Sequence, residues 1–261
     1  MKKHNIASRR NFLKSVTATA IGSTALLSSG CSKITCNSAC PKRGSVITKG
    51  NTILFQGDSI TDAHRNRKQE NNANNSNAFG KGYVYFIASQ LLAEYPSDNL
   101  KIYNRGISGN KVFQLADRWD KDCLTLKPNI LSILIGVNDI WHALKGKYDG
   151  TTEKYEKDYT DLLKRTRKEL PDVKLVICEP FVLRYGAVND KWFPEFDKYR
   201  AIARKMATNS NAIFVPFQSM FDKAVRQAPA NHWTADGVHP TMAGGYLMAE
   251  KWLDTVRKSK V

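Results

Sequence analysis

Short apolar runs recur along the chain from residue 53 onward, separated by longer stretches in which apolar residues return every three or four positions. Ile53-Leu54-Phe55, Lys101-Ile102-Tyr103 and the segments 130–135, 173–178 and 212–215 have the length of strands. Ile130-Leu131-Ser132-Ile133-Leu134-Ile135 lacks polar alternation, which predicts a central parallel strand buried on both faces. Over 83–94, Val84, Phe86, Ile87, Leu91 and Leu92 fall at helical spacing, and Pro96 ends the pattern. Further helices are expected over 112–126, 153–170, 199–206, 217–225 and 242–257, several of them closed by proline. Strands alternating with helices in this way predict one doubly wound α/β domain around a five-stranded parallel sheet. No internal repeat is visible.

In such a sheet, helices cover both faces and only the carboxyl ends of the strands open onto a polar crevice. The first run stops at Gly57-Asp58-Ser59, which delivers Ser59 to that crevice. Alone, the tripeptide reads as a strand-to-helix turn with Asp58 or Ser59 as the cap. The second run leads into Asn104-Arg105-Gly106-Ile107-Ser108-Gly109-Asn110, where Gly106 fits a turn and Gly109 is a candidate for presenting its amide. The third ends at Gly136-Val137-Asn138-Asp139. Asn138 there is either a turn residue or a donor that meets developing negative charge without changing protonation state. The fourth ends at Glu179-Pro180; with no histidine nearby, Glu179 reads as a crevice-lining or structural acid. Near the C-terminus, Asp236 and His239 lie three residues apart. A carboxylate so placed can hold one imidazole nitrogen while the other faces a serine as general base. The alternative is an exposed pair capping the last helix. His64, His142 and His232 have no matching acid. The asparagine-rich stretch 63–77 has nothing evident to bury and is expected to be a mobile loop beside Ser59, a rim to the site or a surface insertion.

Composition fits a single soluble core: 261 residues, 42% hydrophobic and 10% aromatic, need no disulfide framework. The formal charge of +16 is partly carried by Lys2, Lys3, Arg9, Arg10 and Lys14, which precede any acid. The remaining excess is scattered over helical faces and no nucleic-acid motif accompanies it, so nucleic acid is not an expected partner. A basic surface is compatible with acidic polysaccharide or an anionic membrane. Ser8-Arg9-Arg10-Asn11-Phe12-Leu13-Lys14, followed by a weakly apolar stretch, resembles a twin-arginine export signal. Leu26-Leu27-Ser28-Ser29-Gly30-Cys31 resembles a lipoprotein cleavage box, with Ser28 departing from the usual leucine. The expectation is a signal over 1–30, a tether over 31–48 and a folded domain over 49–261. Cys31 is a candidate for lipidation, the only expected membrane attachment, and the alternative is an ordinary signal cut nearby. Export would place the protein in the cell envelope. If Cys31 is lipidated, Cys36 and Cys40 are free to pair in an oxidising compartment. No histidine or carboxylate completes a metal site around the three, and neither metal nor cofactor is expected. Cys178 reads as core.

Four blocks, Gly57-Asp58-Ser59, Ile107-Ser108-Gly109, Gly136-Val137-Asn138-Asp139 and Asp236-Gly237-Val238-His239-Pro240, together and in this order resemble the SGNH, or GDSL-type, hydrolase family over residues 51–253. The resemblance implies a flavodoxin-like sandwich without the Gly-x-Ser-x-Gly elbow, which is absent around Ser59. It implies Ser59 as nucleophile, His239 as base and Asp236 as its partner. The implied oxyanion hole consists of the Ser59 amide, the Gly109 amide and the Asn138 side chain. The wording from Gly57 to Asp62, with His232-Trp233 ahead of Asp236, looks most like the branch containing carbohydrate acetylesterases, implying an acetylated oligo- or polysaccharide such as xylan as substrate. Trp141 and Trp233 are candidates for stacking on sugar rings, with core or rim packing as the alternative. The competing functions are a lysophospholipase or lipid esterase of the envelope and a non-catalytic glycan-binding lipoprotein.

Overall fold

Strand β1 (Thr52–Gly57) lies between β2 (Lys101–Asn104) and β3 (Ile130–Leu134), and β4 (Lys174–Cys178) and β5 (Ile213–Val215) continue the sheet beyond β3. All pairs are parallel, in the order β2-β1-β3-β4-β5. This computed structural model describes residues 45–259. The expected signal and most of the tether, with Cys31, Cys36 and Cys40, lie outside the described residues. Among those described, no helix is long and apolar enough to cross a membrane.

Alternation along β1 assigns the two faces of the sheet. Phe55 points to one, where it meets Tyr83 and Trp252 at ring separations of 6.0 and 5.2 Å. These come from the helices Tyr83–Glu94 and Met242–Lys258, which pack on each other. Trp252 also donates its indole N–H to Ser132 Oγ at 3.0 Å, satisfying the one polar side chain of β3. Gln56 points to the other face and donates to the Asp122 carbonyl at 2.8 Å. Trp119, two residues before Lys121-Asp122, donates to Thr166 Oγ1 at 3.0 Å, joining this region to the helix Thr152–Glu169. That helix packs in turn on Glu195–Asn209. Cys178 is buried and free, as a core residue.

Two expectations are corrected and one helix is added. The helix expected over 112–126 is broken into Val112–Asp117, Trp119–Asp122 and a 3₁₀ turn at Leu124–Leu126. The break falls at Arg118, whose guanidinium donates to Asn110 Oδ1, Gln56 Oε1, Asp122 Oδ2 and the carbonyls of Arg105 and Gly57. Those five acceptors outweigh the helical continuity that the apolar spacing favours. A further helix, Val137–Leu144, follows β3 directly. The stretch 63–77 is a bonded cover with much to bury. Arg65 is 5% exposed and donates to the Gly106 carbonyl at 2.8 Å and to Glu70 at 2.9 Å. Asn74 pairs with the free edge of β2: its amide donates to the Ile102 carbonyl, and its side chain accepts from Ile102 and donates to the Leu100 carbonyl. The segment therefore shields an edge strand, which accounts for its polarity.

Candidate active site

The chain runs outward from β1 to β2 and crosses back to β3, so the sheet reverses direction between β1 and β3. At such a switch point the loops diverge and leave a crevice. Gly57 pairs with Leu134 across it. A Cβ at Gly57 would lie 2.4 Å from both the Leu134 carbonyl and Thr61 Oγ1, so only glycine permits the chain to turn this closely. Asp58 then caps the one-turn helix Ser59–Asp62, its Oδ1 accepting from the Ile60 amide at 3.0 Å. Ser59 occupies the first position of that turn, half-buried at the strand end.

Ser59 Oγ lies 2.9 Å from His239 Nε2, and His239 Nδ1 lies 2.8 Å from Asp236 Oδ2. The other carboxylate oxygen, Oδ1, accepts from the amides of Val238 and His239 at 3.0 and 2.8 Å. Burial pushes the Asp236 carboxyl up, but the His239 amide, its imidazole and the Val238 amide outweigh this and hold it below the usual carboxylate range. An ionised Asp236 only accepts, so His239 carries its proton on Nδ1 and offers the Nε2 lone pair to the Ser59 hydroxyl. The loop holding the pair is closed by a bridge between Thr234 and Pro240. It is clamped to the segment after β4 by Leu183 N–H to the Gly237 carbonyl and Ala187 N–H to the Asp236 carbonyl, both 2.8 Å. Gly237, at φ +91, has no room for a side chain: a Cβ would stand 2.3 Å from the Tyr185 carbonyl.

Asn138 is buried in the first turn of Val137–Leu144 and donates one amide N–H to the Asn110 carbonyl at 3.2 Å, leaving the second. Gly109 adopts φ +81 with open space where a Cβ would be. Its loop hangs from Asp62, whose Oδ2 accepts from Ser108 N and Ser108 Oγ at 2.9 and 3.0 Å and from Arg67 at 2.6 Å. Asp62 and Arg118 brace the site and escape sequence reasoning, because their partners lie elsewhere in the chain.

The remaining candidates separate clearly. Trp141 stands beside His239, ring centroids 6.0 Å apart. Trp233 donates its indole N–H to the Ala224 and Ala228 carbonyls at 3.1 and 3.0 Å, so its ring edge is tied to the scaffold. Glu179 accepts from Arg200 at 3.1–3.2 Å and from the Gln218 amide at 3.1 Å, a structural acid. Two carboxyls beside the site, Asp58 and Asp139, are both driven up to about 7, chiefly by burial. Among the described residues no cluster of three side chains is arranged to hold a metal ion.

A serine, histidine and aspartate in hydrogen-bonded series at the switch point of a parallel sheet define a serine-dependent hydrolase. The family model of the GDSL-like Lipase/Acylhydrolase family matches residues 55–246, and the chain belongs to that family. It is a carboxylic ester hydrolase. It is similar to an acetylxylan esterase of Geobacillus stearothermophilus, with 33% identity over 79% of this chain and 94% of the relative. The solved structure of an acetylxylan esterase from that organism has a TM-score of 0.71 at 31% identity, covering 82% of this chain and 97% of the other. It has also been solved as catalytic mutants in which alanine replaces a serine or a histidine. A GDSL-like protein from Parabacteroides merdae is 54% identical, with a TM-score of 0.78 over 80% of this chain and 97% of the other.

Proposed function

We propose that the protein is an exported deacetylase that removes acetyl groups from xylan-type polysaccharide or its oligosaccharides through an acyl-enzyme on Ser59. The observation that carries the chemistry is the continuous series Ser59 Oγ–His239–Asp236, at 2.9 and 2.8 Å. The acetylxylan esterase relatives support the substrate class, and the twin-arginine-like N-terminus and Cys31 support export with a lipid anchor.

Ser59 Oγ attacks the ester carbonyl carbon as His239 Nε2 takes its proton, and Asp236 stabilises the imidazolium. The tetrahedral oxyanion is met by the amides of Ser59 and Gly109 and by the second N–H of Asn138. Collapse expels the sugar hydroxyl, which receives the proton from His239. Water then gives a proton to His239 and attacks the acyl carbon, and collapse of the second tetrahedral intermediate releases acetate as His239 returns that proton to Ser59 Oγ.

The test compares p-nitrophenyl acetate with the octanoate, then follows acetate released from acetylated xylooligosaccharides, with Ser59→Ala as control. Expected is Ser59-dependent turnover of the acetate and the oligosaccharides with poor turnover of the octanoate. Rapid Ser59-dependent turnover of the octanoate without acetate release from the glycan would assign the enzyme to lipid esters. Equal rates in wild type and variant would remove the catalytic role of Ser59.

A further inference from the structure

The helix Val137–Leu144 carries more than Asn138. Positions 138, 141, 142 and 145 are three, four and seven apart, one face of a helix, and they hold Asn138, Trp141, His142 and Lys145. The near end of this face reaches the Asn110 carbonyl, and the middle meets His239 through Trp141. At its far end, Lys145 Nζ lies over the Trp141 ring, 4.1 Å from the centroid. With a rise of about 1.5 Å per residue, Lys145 stands about 10 Å along the axis from the oxyanion donor. Only a ligand larger than the acetyl ester itself spans that distance.

A second segment adds a cation to the same place. Lys111 is 7% exposed, with Nζ 3.2 Å from His142 Nδ1 and 5.1 Å from the centre of the Tyr148 ring. An ammonium this buried is costly unless an anion or a full set of acceptors meets it. Among the described residues no carboxylate lies within ion-pair distance of Lys111, Lys145 or Lys147, whereas the nearby Lys154 is paired with Asp158 at 2.9 Å. Burial, then Lys111, Lys145 and Lys147, push the His142 imidazole down, so it is neutral and accepts from Lys111 through Nδ1. Its Nε2–H is then a further donor. Cations near a helix C-terminus answer its dipole, which accounts for Lys145 and Lys147. It does not account for Lys111, which arrives buried from another segment with the Phe113 and Tyr148 rings beneath it and Asp139 acting on it only from beyond ion-pair distance.

We infer that the face formed by Trp141, His142 and Lys145, backed by Lys111, is a subsite for a carboxylate-bearing sugar, so that the preferred substrate is an acetylated glycan with a uronic acid near the ester. The carboxylate supplies the ion-paired partner this cluster lacks, and the sugar chain runs along Trp141 toward Ser59. This rests on the deacetylase reading above and narrows it from neutral to acidic glycans.

The experiment measures binding by calorimetry to the full-length Ser59→Ala protein, using two acetylated xylooligosaccharides of equal length, one with a glucuronic acid branch and one without. In dilute buffer the acidic ligand is expected to bind about fivefold more tightly, the scale of one solvent-exposed ion pair. High salt, which shortens the screening length to about 3 Å at 1 M, brings the ratio toward one. Lys145→Gln does the same, while Lys168→Gln, exposed on the helix Thr152–Glu169, leaves it unchanged. Equal affinities in dilute buffer, or a ratio that Lys145→Gln does not reduce, would overturn the subsite and leave the deacetylase reading standing. Binding of neither glycan by a protein whose wild type hydrolyses p-nitrophenyl acetate would overturn both.

Discussion

In the proposed mechanism Ser59 is reactive only while His239 keeps its lone pair on Nε2, and the Asp236 carboxylate sets that tautomer. Asp236→Asn presents an amide that can favour the wrong tautomer. Steady-state kinetics on p-nitrophenyl acetate should show kcat falling by about 10⁴ with KM little changed. Asn138→Ala removes the proposed side-chain donor to the oxyanion, and the same assay should show kcat lower by on the order of a hundredfold, about 2.7–4 kcal/mol in the barrier. The lowered Asp236 carboxyl also contributes stability, in a direction fixed by its sign. That contribution is present above the ordinary carboxylate range, where the unfolded chain is ionised too, and is lost as pH falls through the depressed folded value. Ser59, Asp236 and His239 were legible in the sequence because a strand-ending Gly-Asp-Ser and a three-residue Asp–His spacing are local patterns. Asp62 was not: its bonds reach Ser108, 46 positions away.

At the scale of elements, legibility followed the length and continuity of the apolar signal. All five strands stand where short apolar runs placed them, because the mostly buried positions of β1, β3 and β4 leave few polar residues to blur the pattern. Val137–Leu144 was read only as a strand end: its eight residues begin directly after β3 and offer two turns of periodicity. The broken 112–126 segment shows the opposite failure, in which a sound periodicity yields to Arg118 and acceptors up to 62 positions distant. Arg118 thereby ties β1 to the Asn110 side chain, and the Asn110 carbonyl in turn orients Asn138. Arg118→Ala leaves Asp122, itself 4% exposed, without its nearest cation and should cost about 3 kcal/mol in urea unfolding. In a double-mutant cycle, adding Asp122→Asn should cost less than the sum of the two single losses.

For the molecule as a whole, the carboxyls of Asp58 and Asp139 set a pH dependence opposite to that of Asp236. Their folded values near 7 mean that, between the ordinary carboxylate range and about 7, the folded protein holds protons that the unfolded chain has released. Stability therefore falls as pH rises through that window. Asp139→Asn keeps an oxygen for the Val112 amide and removes the titration. Thermal unfolding should show a higher Tm than wild type at about pH 8 and a flatter profile between about pH 4 and 7. Ser59 and His239, the proposed nucleophile and base, finally, stand 180 positions apart, and the helix that follows His239 seats Trp252 against Phe55 in the core. A nascent chain thus emerges from the ribosome with its serine long before the histidine that faces it. Neither the relay nor the core around it is complete until residues 239 to 252 have been made, so a chain released before them is hydrolytically silent and cannot deacylate anything at its place of manufacture.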